Sequence, residues 1–251
     1  MDAVSLHLKT QGITLEYYDC VDSTNRLAKE RAEQGAPEGL CILSDTQTAG
    51  RGRLGRSFCS PAGTGLYMSI VLRPTLPAQK VLSVTTAAAV AVCRAIEQVS
   101  PRTAQIKWVN DVYCDGKKVC GILTEAGFQG DQLAYAVLGI GINVSDPEGG
   151  FPAAIADIAA SVYGKERGDR AVLAAAVLDA FFEEYAHLSE ERFVEEYRAR
   201  SCLVGKGITV KAPAGDRDAT ALGVDDQCRL LVRYTDGGED ALSAGDVSIR
   251  M

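Results

Sequence analysis

The order of hydrophobic and polar positions along this chain predicts a mixture of helices and strands. Apolar residues recur three and four positions apart over Val81–Val99 and over Arg170–His187, which predicts two core helices. Short apolar runs bounded by glycine, proline or polar clusters are typical of buried strands. Such runs occupy Thr14–Cys20, Gly39–Ser44, Leu66–Arg73, Ala104–Cys114, Lys118–Glu125 and Leu133–Val144.

Capping and turn residues separate these elements. Asp22–Asn25 supplies N-cap side chains for a short helix that ends at Gly35. The dipeptide Asp115-Gly116 is typical of a two-residue hairpin turn. Two further segments have helical spacing and are predicted helices, Pro152–Tyr163 and Glu190–Arg200.

The pattern changes after Leu203. Four short strands separated by turns predict a small all-β barrel of about fifty residues. They are Ile208–Ala212, Ala219–Val224, Arg229–Tyr234 and Val247–Arg250. We therefore predict two domains, over residues 1–201 and 202–251.

Composition narrows the possible functions. The 251 residues are 47% hydrophobic and 24% charged, which is typical of globular proteins and excludes general disorder. With 33 acidic and 26 basic residues the net charge is −7, which disfavours a general binder of nucleic acid or membrane surfaces unless basic residues cluster. The first residues do not form a signal-peptide pattern, and the unbroken apolar runs are too short to predict a spanning helix.

Cysteine and histidine usage favours neither a metal site nor a hydrolytic triad. None of the eight cysteines has the two-residue spacing of a zinc or redox motif, and most lie in apolar runs. We predict that they are reduced, mostly buried thiols in a cytoplasmic protein. The chain has only two histidines, His7 and His187, which gives little support to a histidine metal site or a Ser–His–Asp triad.

The segment GRGRLGR at Gly50–Arg56, here named the arginine loop, is the first candidate for chemistry. Its glycines fit G-x-G-x-x-G, but the sequence predicts no helix directly after it, and no acidic residue occurs between Asp45 and Glu97. A dinucleotide-binding fold needs both, so we exclude it. Three arginines on flexible backbone favour a phosphate or carboxylate site. A solvated basic loop is the alternative.

The hairpin from residue 107 to residue 125 is the second candidate. Its turn predicts that Tyr113 lies opposite Lys118 and that Asp111 lies opposite Cys120. Asp111 and Lys118 would then be diagonal neighbours on one face, and Lys107 would lie further along that face if the strand has no bulge before Asp111. A carboxylate between two lysines favours binding of anionic substrate groups, with Asp111 available to a metal or an entering amine. A surface ion-pair ladder is the alternative.

Five motifs occur in the order and spacing of biotin–protein ligases. They are DSTN at 22–25, QTAGRGRLGR at 47–56, KWVND at 107–111, GKKVCGILTE at 116–125 and GIGINV at 139–144. The chain resembles short members of that family. The resemblance implies an α+β fold: a mixed β-sheet catalytic domain with flanking helices, similar to class II aminoacyl-tRNA synthetases and lipoate ligases, plus a C-terminal SH3-like β-barrel.

The resemblance also implies an ATP-dependent, two-step ligase without a prosthetic group. Biotin and Mg²⁺-ATP would form biotinyl-5′-AMP, and a lysine of a biotin carboxyl carrier protein would then accept the biotinyl group. Biotin would contact Ser23, Thr24, Asn25, Gln47, Gly50, Arg51, Gly52, Arg53, Lys118 and Gly121. The nucleotide would contact Arg51, Arg53, Lys107, Trp108, Asn110, Asp111 and Asn143. Catalysis would rest on Lys118, Arg51, Asp111 and Lys107, and Asp111 would also serve magnesium.

Some features depart from the family pattern. Val109 replaces a common proline, and Phe58 replaces a common tryptophan. Only 21 residues precede Asp22, so we expect neither the winged-helix domain of the family's repressors nor sequence-specific DNA binding. A lipoate ligase, a non-catalytic adenylate-binding module and a biotin-responsive regulator remain alternatives. The sequence does not decide whether the chain forms a homodimer.

Overall fold

A seven-stranded mixed sheet forms the larger part of the fold. The computed structural model of the protein describes residues 4–75, 77, 80–130, 132–211 and 215–249. The strands are β1 Thr14–Val21, β2 Leu40–Gln47, β3 Gly65–Leu72, β4 Ala104–Lys107, β5 Asp111–Cys114, β6 Lys117–Gln129 and β7 Gln132–Asn143. Their order across the sheet is β1-β2-β3-β7-β6-β5-β4, in which β1 and β2 are parallel and the other neighbours antiparallel.

Helices cover both faces of this sheet. They are α1 Val4–His7, α2 Thr24–Glu33, α3 Val81–Val99, α4 Arg170–Ala186 and α5 Val194–Ala199. Because side chains alternate along a strand, β2 sends Leu40 and Ile42 towards α2 and Cys41 and Leu43 into the main core. That core contains α3 and α4, which pack against each other. The predicted mixed sheet with flanking helices is confirmed.

A second, five-stranded antiparallel sheet follows. Its strands are β8 Gly207–Lys211, β9 Arg217–Val224, β10 Leu230–Tyr234, β11 Glu239–Leu242 and β12 Asp246–Ile249, in the order β11-β10-β9-β8-β12. The all-β character is confirmed, whereas the SH3-like closure stays a prediction. The sequence did not reveal β11, since its residues EDAL lack an apolar alternation. The predicted strand ends Ala212 and Arg250 lie outside the described residues.

The prediction of one strand over Ala104–Cys114 is wrong. The chain reverses at Trp108–Asn110, and β4 and β5 pair antiparallel as two strands. Tertiary contacts fix this reversal, because Ile106 forms backbone hydrogen bonds to Arg200 and Cys202 at 2.8 and 2.9 Å. The outer edge of β4 is therefore joined to the segment between the two sheets.

The predicted helix Pro152–Tyr163 is also wrong. This segment forms turns. The Lys118 N–H donates to the Ile158 carbonyl at 2.8 Å, and the Ala160 N–H donates to the Lys118 carbonyl at 2.9 Å. These bonds to β6 replace the backbone bonds that a helix would make within the segment.

The predicted helix Glu190–Arg200 is shorter than expected. A 3₁₀ turn covers Leu188–Glu190, and α5 covers only Val194–Ala199. Between them Glu191 has a φ of 54°, a left-handed conformation that an α-helix cannot continue through.

The helix α3 is long and apolar enough to cross a membrane by length and composition alone. Within the fold, however, 67% of its most apolar window is buried. It contacts α4 and β6, so it is the central core helix that the sequence predicts.

Candidate active site

A pocket opens on the α2 face of the large sheet, beside the first turn of α2. It encloses about 460 Å³, including the part open to solvent. The residues predicted from the sequence that line it are Ser23, Thr24, Asn25, Gln47, Arg51, Gly52, Arg53, Asn110, Lys118 and Gly121. Folding therefore brings together motifs that are far apart in the sequence.

The first turn of α2 forms one end of this pocket. Ser23 is the N-cap, and its side chain accepts a hydrogen bond from the Arg26 N–H. The backbone N–H and the hydroxyl of Thr24 donate to Gln47 Oε1 at 2.9 and 3.1 Å. Gln47 Nε2 donates in turn to Ser60 Oγ at 2.9 Å. The orientation of the Gln47 amide is thus fixed by partners at both of its ends.

The arginine loop is closed by its own backbone. The Gly52 N–H donates to the Arg56 carbonyl at 2.7 Å, and the Phe58 N–H donates to the Gly50 carbonyl at 2.8 Å. Gly50 has no room for a side chain, because a Cβ there would lie 2.4 Å from the Phe58 carbonyl oxygen and 2.7 Å from Ser60 Oγ. Gly50 is therefore required by packing within the loop.

Two arginines of the loop connect it to the rest of the site and to the second sheet. Arg53 donates to Asn110 Oδ1 at 2.8 Å and to the Gly245 carbonyl at 3.0 Å. Arg56 forms an ion pair with Asp246. The loop is thus held between the reversal after β4 and the start of β12.

The register of the β5–β6 hairpin agrees with the prediction on one side of a bulge. Tyr113 pairs with Lys118, which confirms the prediction. Asp111 pairs with Gly121 and not with Cys120, because the bulge shifts the register between the two pairs. Lys118 Nζ nevertheless reaches Asp111 Oδ1 at 2.7 Å, and the two side chains are 30% and 19% exposed.

The predicted position of Lys107 is wrong because it assumed one continuous strand. Lys107 lies directly opposite Asp111 across β4 and β5. Its ammonium lies 5.7 Å from the centre of the Tyr113 ring. The chain reversal therefore brings Lys107 next to Asp111 on the neighbouring strand.

A second pocket adjoins the first. It encloses about 470 Å³, open part included, between the arginine loop, β5 and the start of β12. Gly52, Arg53, Phe58, Asn110 and Lys118 line both pockets. The two pockets form one elongated site, in which these shared residues lie at the junction.

Phe58 lies across a row of glycines on the sheet. Gly141 pairs with Gly121 on one side and with Tyr67 on the other. A Cβ at Gly141 would lie 2.6 Å from the Phe58 ring, and one at Gly121 would lie 3.2 Å from both the ring and Lys118 Nζ. The glycines thus provide the space that the aromatic ring occupies.

Trp108 and Asn143, which the sequence predicts to contact the nucleotide, form hydrogen bonds within the protein. Trp108 is 4% exposed, and its indole N–H donates to the Cys228 carbonyl at 2.8 Å. This bond joins the reversal after β4 to the second sheet. Asn143 donates to the Ala160 carbonyl at 3.0 Å, which holds the turn segment that flanks Lys118. Both residues therefore support parts of the site.

Sequence reasoning missed two polar residues of the site. Glu125, on β6, accepts hydrogen bonds from Asn25 and Arg51. Ser69 is completely buried in β3 and hydrogen-bonds to Asn25 and Thr24. The signal for Ser69 was a serine in an otherwise apolar strand, and the signal for Glu125 was its place at the end of the motif GKKVCGILTE.

Burial keeps two weak acids near the site neutral. Burial, together with the nearby Asp111 carboxylate, raises the pKa of the Tyr113 phenol. Burial raises the pKa of the Cys120 thiol well above its ordinary value. Neither group is an activated nucleophile at neutral pH.

Two carboxylates line the second pocket and could hold magnesium, Asp111 and Asp246, of which Asp246 is paired with Arg56. Among the residues described, no cluster of three or more His, Cys, Asp or Glu side chains could hold a metal ion. Mg²⁺ bound with a nucleotide takes one or two carboxylates together with phosphate oxygens. Asp111, at the second pocket beside Lys118, fits that arrangement.

Two protein-family models match parts of this chain. The model of the biotin/lipoate A/B protein ligase family matches residues 17–143, and that of the biotin protein ligase C-terminal domain matches residues 204–250. The chain is 38% identical to the bifunctional ligase/repressor BirA of Bacillus subtilis, over 94% of this chain and 75% of that relative.

Two further likenesses cover most of both chains. The chain is 33% identical to the biotin–[acetyl-CoA-carboxylase] ligase of Mycobacterium tuberculosis, over 90% of this chain and 85% of that relative. Among solved structures, it is similar to a biotin protein ligase from Aquifex aeolicus in complex with biotin and ATP. That likeness has a TM-score of 0.78 and 27% identity, over 94% and 98% of the two chains.

Proposed function

This chain belongs to the biotin/lipoate A/B protein ligase family and is an ATP-dependent biotin–protein ligase, and on that premise we propose which residues bind and activate its substrates. The observation that carries the proposal is the pair of adjoining pockets with Lys118 and Arg53 at their junction. One pocket would take biotin, the other would take ATP, and the reacting groups would meet between them.

The first pocket suits biotin because it combines polar side chains of fixed orientation with a lining that contains several glycines. Ser23, Thr24 and Gln47 would hydrogen-bond the ureido ring at the α2 end. Gly52 would allow close approach of the ring system and the valeryl chain, and Gly121 gives room to the Phe58 ring and Lys118 beside them. Lys118 lies at the opposite end and would pair with the carboxylate.

The second pocket suits the nucleotide phosphates. Its lining includes Arg53, Asn110, Asp111 and Lys118. Lys107, opposite Asp111, would add positive charge beside the phosphates. Asp111 would hold the magnesium ion of Mg²⁺-ATP, which supplies further charge neutralisation when it is bound.

The reaction needs positive charge and alignment more than a protein nucleophile. In the first step a carboxylate oxygen of biotin attacks the α-phosphorus of ATP, and pyrophosphate leaves. Lys118 and Arg51 would offset the repulsion between these anions and stabilise the negative charge of the transition state. In the second step a lysine amine of the carrier attacks the acyl carbon, AMP leaves, and Asp111 would orient the entering amine.

The names of the relatives imply a biotin carboxyl carrier protein as acceptor, and we propose an acetyl-CoA carboxylase carrier domain. We also propose that the chain divides into domains at 1–201 and 202–251, which is supported by the end of α5 at Ala199 and the start of β8 at Gly207. Six of the eight cysteines are buried as free thiols, which supports a cytoplasmic location. The net charge of −7 supports the absence of specific DNA binding.

The direct test is to incubate the protein with biotin, Mg²⁺-ATP and an apo carrier domain, and to read the mass of the carrier. We expect a gain of one biotinyl group that requires ATP. Lipoate replaces biotin in a parallel reaction, and preferential lipoylation would contradict the proposal. Labelled ATP without carrier tests adenylate formation, and binding without turnover would indicate a non-catalytic module. A gel shift on promoter DNA with biotin and ATP present tests the absence of DNA binding.

A further inference from the structure

A chain of hydrogen bonds runs beneath the biotin pocket and ends on the arginine loop. Ser69 Oγ lies 2.8 Å from Thr24 Oγ1 and donates to Asn25 Oδ1 at 2.7 Å. Asn25 Nδ2 donates to Glu125 Oε2 at 2.9 Å. Arg51 Nη1 lies 3.0 Å from Glu125 Oε1 and 3.2 Å from Oε2. The buried strand β3 is thus connected to an arginine that lines the pocket.

Asn25 is built into the fold and both ends of its amide are used. It is 5% exposed. Besides its bond to Glu125, Asn25 Nδ2 lies 3.2 Å from the Leu123 carbonyl. A Cβ at Gly139 would lie 1.8 Å from Asn25 Oδ1, so this glycine is needed for Asn25 to lie flat on the sheet. These contacts fix the amide, so Asn25 orients Glu125.

Glu125 is an unexpected residue at a site that takes two anions. A carboxylate here repels the carboxylate of biotin and the phosphates of ATP. Its negative charge is offset by Arg51, whose contacts to it use only Nη1. A guanidinium carries three further N–H donors on Nη2 and Nε. Glu125 can therefore hold Arg51 in place while Arg51 binds a substrate anion.

We propose that Glu125 is a positioning residue, held by Asn25 and Ser69, that fixes the Arg51 guanidinium for formation of biotinyl-5′-AMP. The inference rests on the proposed role of Arg51. An arginine side chain that is half exposed loses rotamer freedom when it binds its substrate. Glu125 removes part of that freedom in advance, so its effect should appear in the rate of adenylation and should depend on Arg51.

A double-mutant cycle tests this dependence. Residues that orient a metal ligand typically contribute about 10- to 100-fold to activity, and by analogy we expect a similar contribution from a residue that orients an arginine. E125A should therefore lower kcat for adenylation by about 10- to 100-fold and leave the Kd for biotin within about threefold. In an R51A background, E125A should no longer lower the rate, because no guanidinium is left for Glu125 to position. E125Q keeps the acceptor for Asn25 and should fall between E125A and the wild type.

The control is another partly exposed Glu–Arg pair. Glu16 Oε2 lies 3.4 Å from Arg31 Nε, in the last turn of α2, and the two side chains are 32% and 36% exposed. E16A should match E125A in melting temperature and keep the adenylation rate of the wild type. S69A tests the same network from its buried end, because it removes the hydroxyl that donates to Asn25. It should lower kcat for adenylation by a few-fold, again only when Arg51 is present.

The outcomes separate this inference from the proposed function. If the wild-type protein forms no biotinyl-5′-AMP, the proposed function fails whatever the variants do. If the wild type is active and E125A equals it, or if E125A is equally harmful with and without Arg51, the positioning role is overturned. If E125A does not fold, the cycle is run with E125Q, and additivity with R51A there would overturn the proposal as well.

Discussion

Lys118→Ala removes the side chain that lies at the junction of both pockets. If Lys118 pairs with the biotin carboxylate and then with the acyl phosphate, the variant leaves a desolvated anion without its partner. Losses of this kind cost about 2–5 kcal/mol, which corresponds to roughly 30- to several-thousand-fold in the rate of adenylate formation. We expect the loss in adenylation, measured as biotin-dependent pyrophosphate release.

The cost in stability follows from the ion pair with Asp111. That pair is 2.7 Å long, with side chains 30% and 19% exposed. It lies between exposed pairs, worth about 0–1 kcal/mol, and buried pairs, whose disruption costs about 3–5 kcal/mol. We expect the free energy of unfolding to fall by about 1–2 kcal/mol, or roughly 2–8 °C in Tm.

The neighbouring residue provides the control. Lys117 is exposed, and its Nζ lies 3.4 Å from the Ala156 carbonyl. Lys117→Ala should leave both the rate and Tm near those of the wild type. The reasoning is refuted if folded Lys118→Ala loses stability but keeps near-normal adenylation, because the pair with Asp111 would then belong to the scaffold alone.

Three further predictions follow from the packing and electrostatics. Gly141→Ala should weaken biotin binding by at least about fivefold, measured by calorimetry, because its Cβ meets the Phe58 ring at 2.6 Å; in a Phe58→Ala background the change should be nearly neutral. Asp246→Ala, which removes the ion pair to the arginine loop, should slow carrier biotinylation about two- to fivefold, and an equal loss of biotin affinity would contradict this. The hydrogen bond from Arg200 lowers the pKa of Glu97 below its ordinary 4.5. The contribution of this pair to the free energy of unfolding is therefore present above pH 4.5 and is lost as the pH falls below that value. Denaturant titrations should therefore show a shallower acid loss of stability for Glu97→Gln, and an unchanged slope would refute the coupling.

The sequence by itself determined the features that depend on neighbouring residues. The bounds of α3 follow from its apolar spacing, and the start of α2 follows from the Ser23 cap. The Asp115-Gly116 turn fixed the pairing of Tyr113 with Lys118. Helical spacing, capping and tight turns act over a few residues, so their signals are complete within a short stretch of sequence. The family motifs added most of the pocket residues for the same reason.

Contacts between distant segments decided the rest. The reversal at Trp108–Asn110 depends on bonds to Arg200, Cys202 and Cys228, about a hundred residues away. The segment 152–163 has helical spacing, yet its backbone bonds to β6. Glu125 reaches the site through Asn25 and Arg51, which lie far from it in the chain. In each case a polar group has no partner within its own segment and is paired by a group from a distant one. Only the folded sheet brings these groups within hydrogen-bond distance.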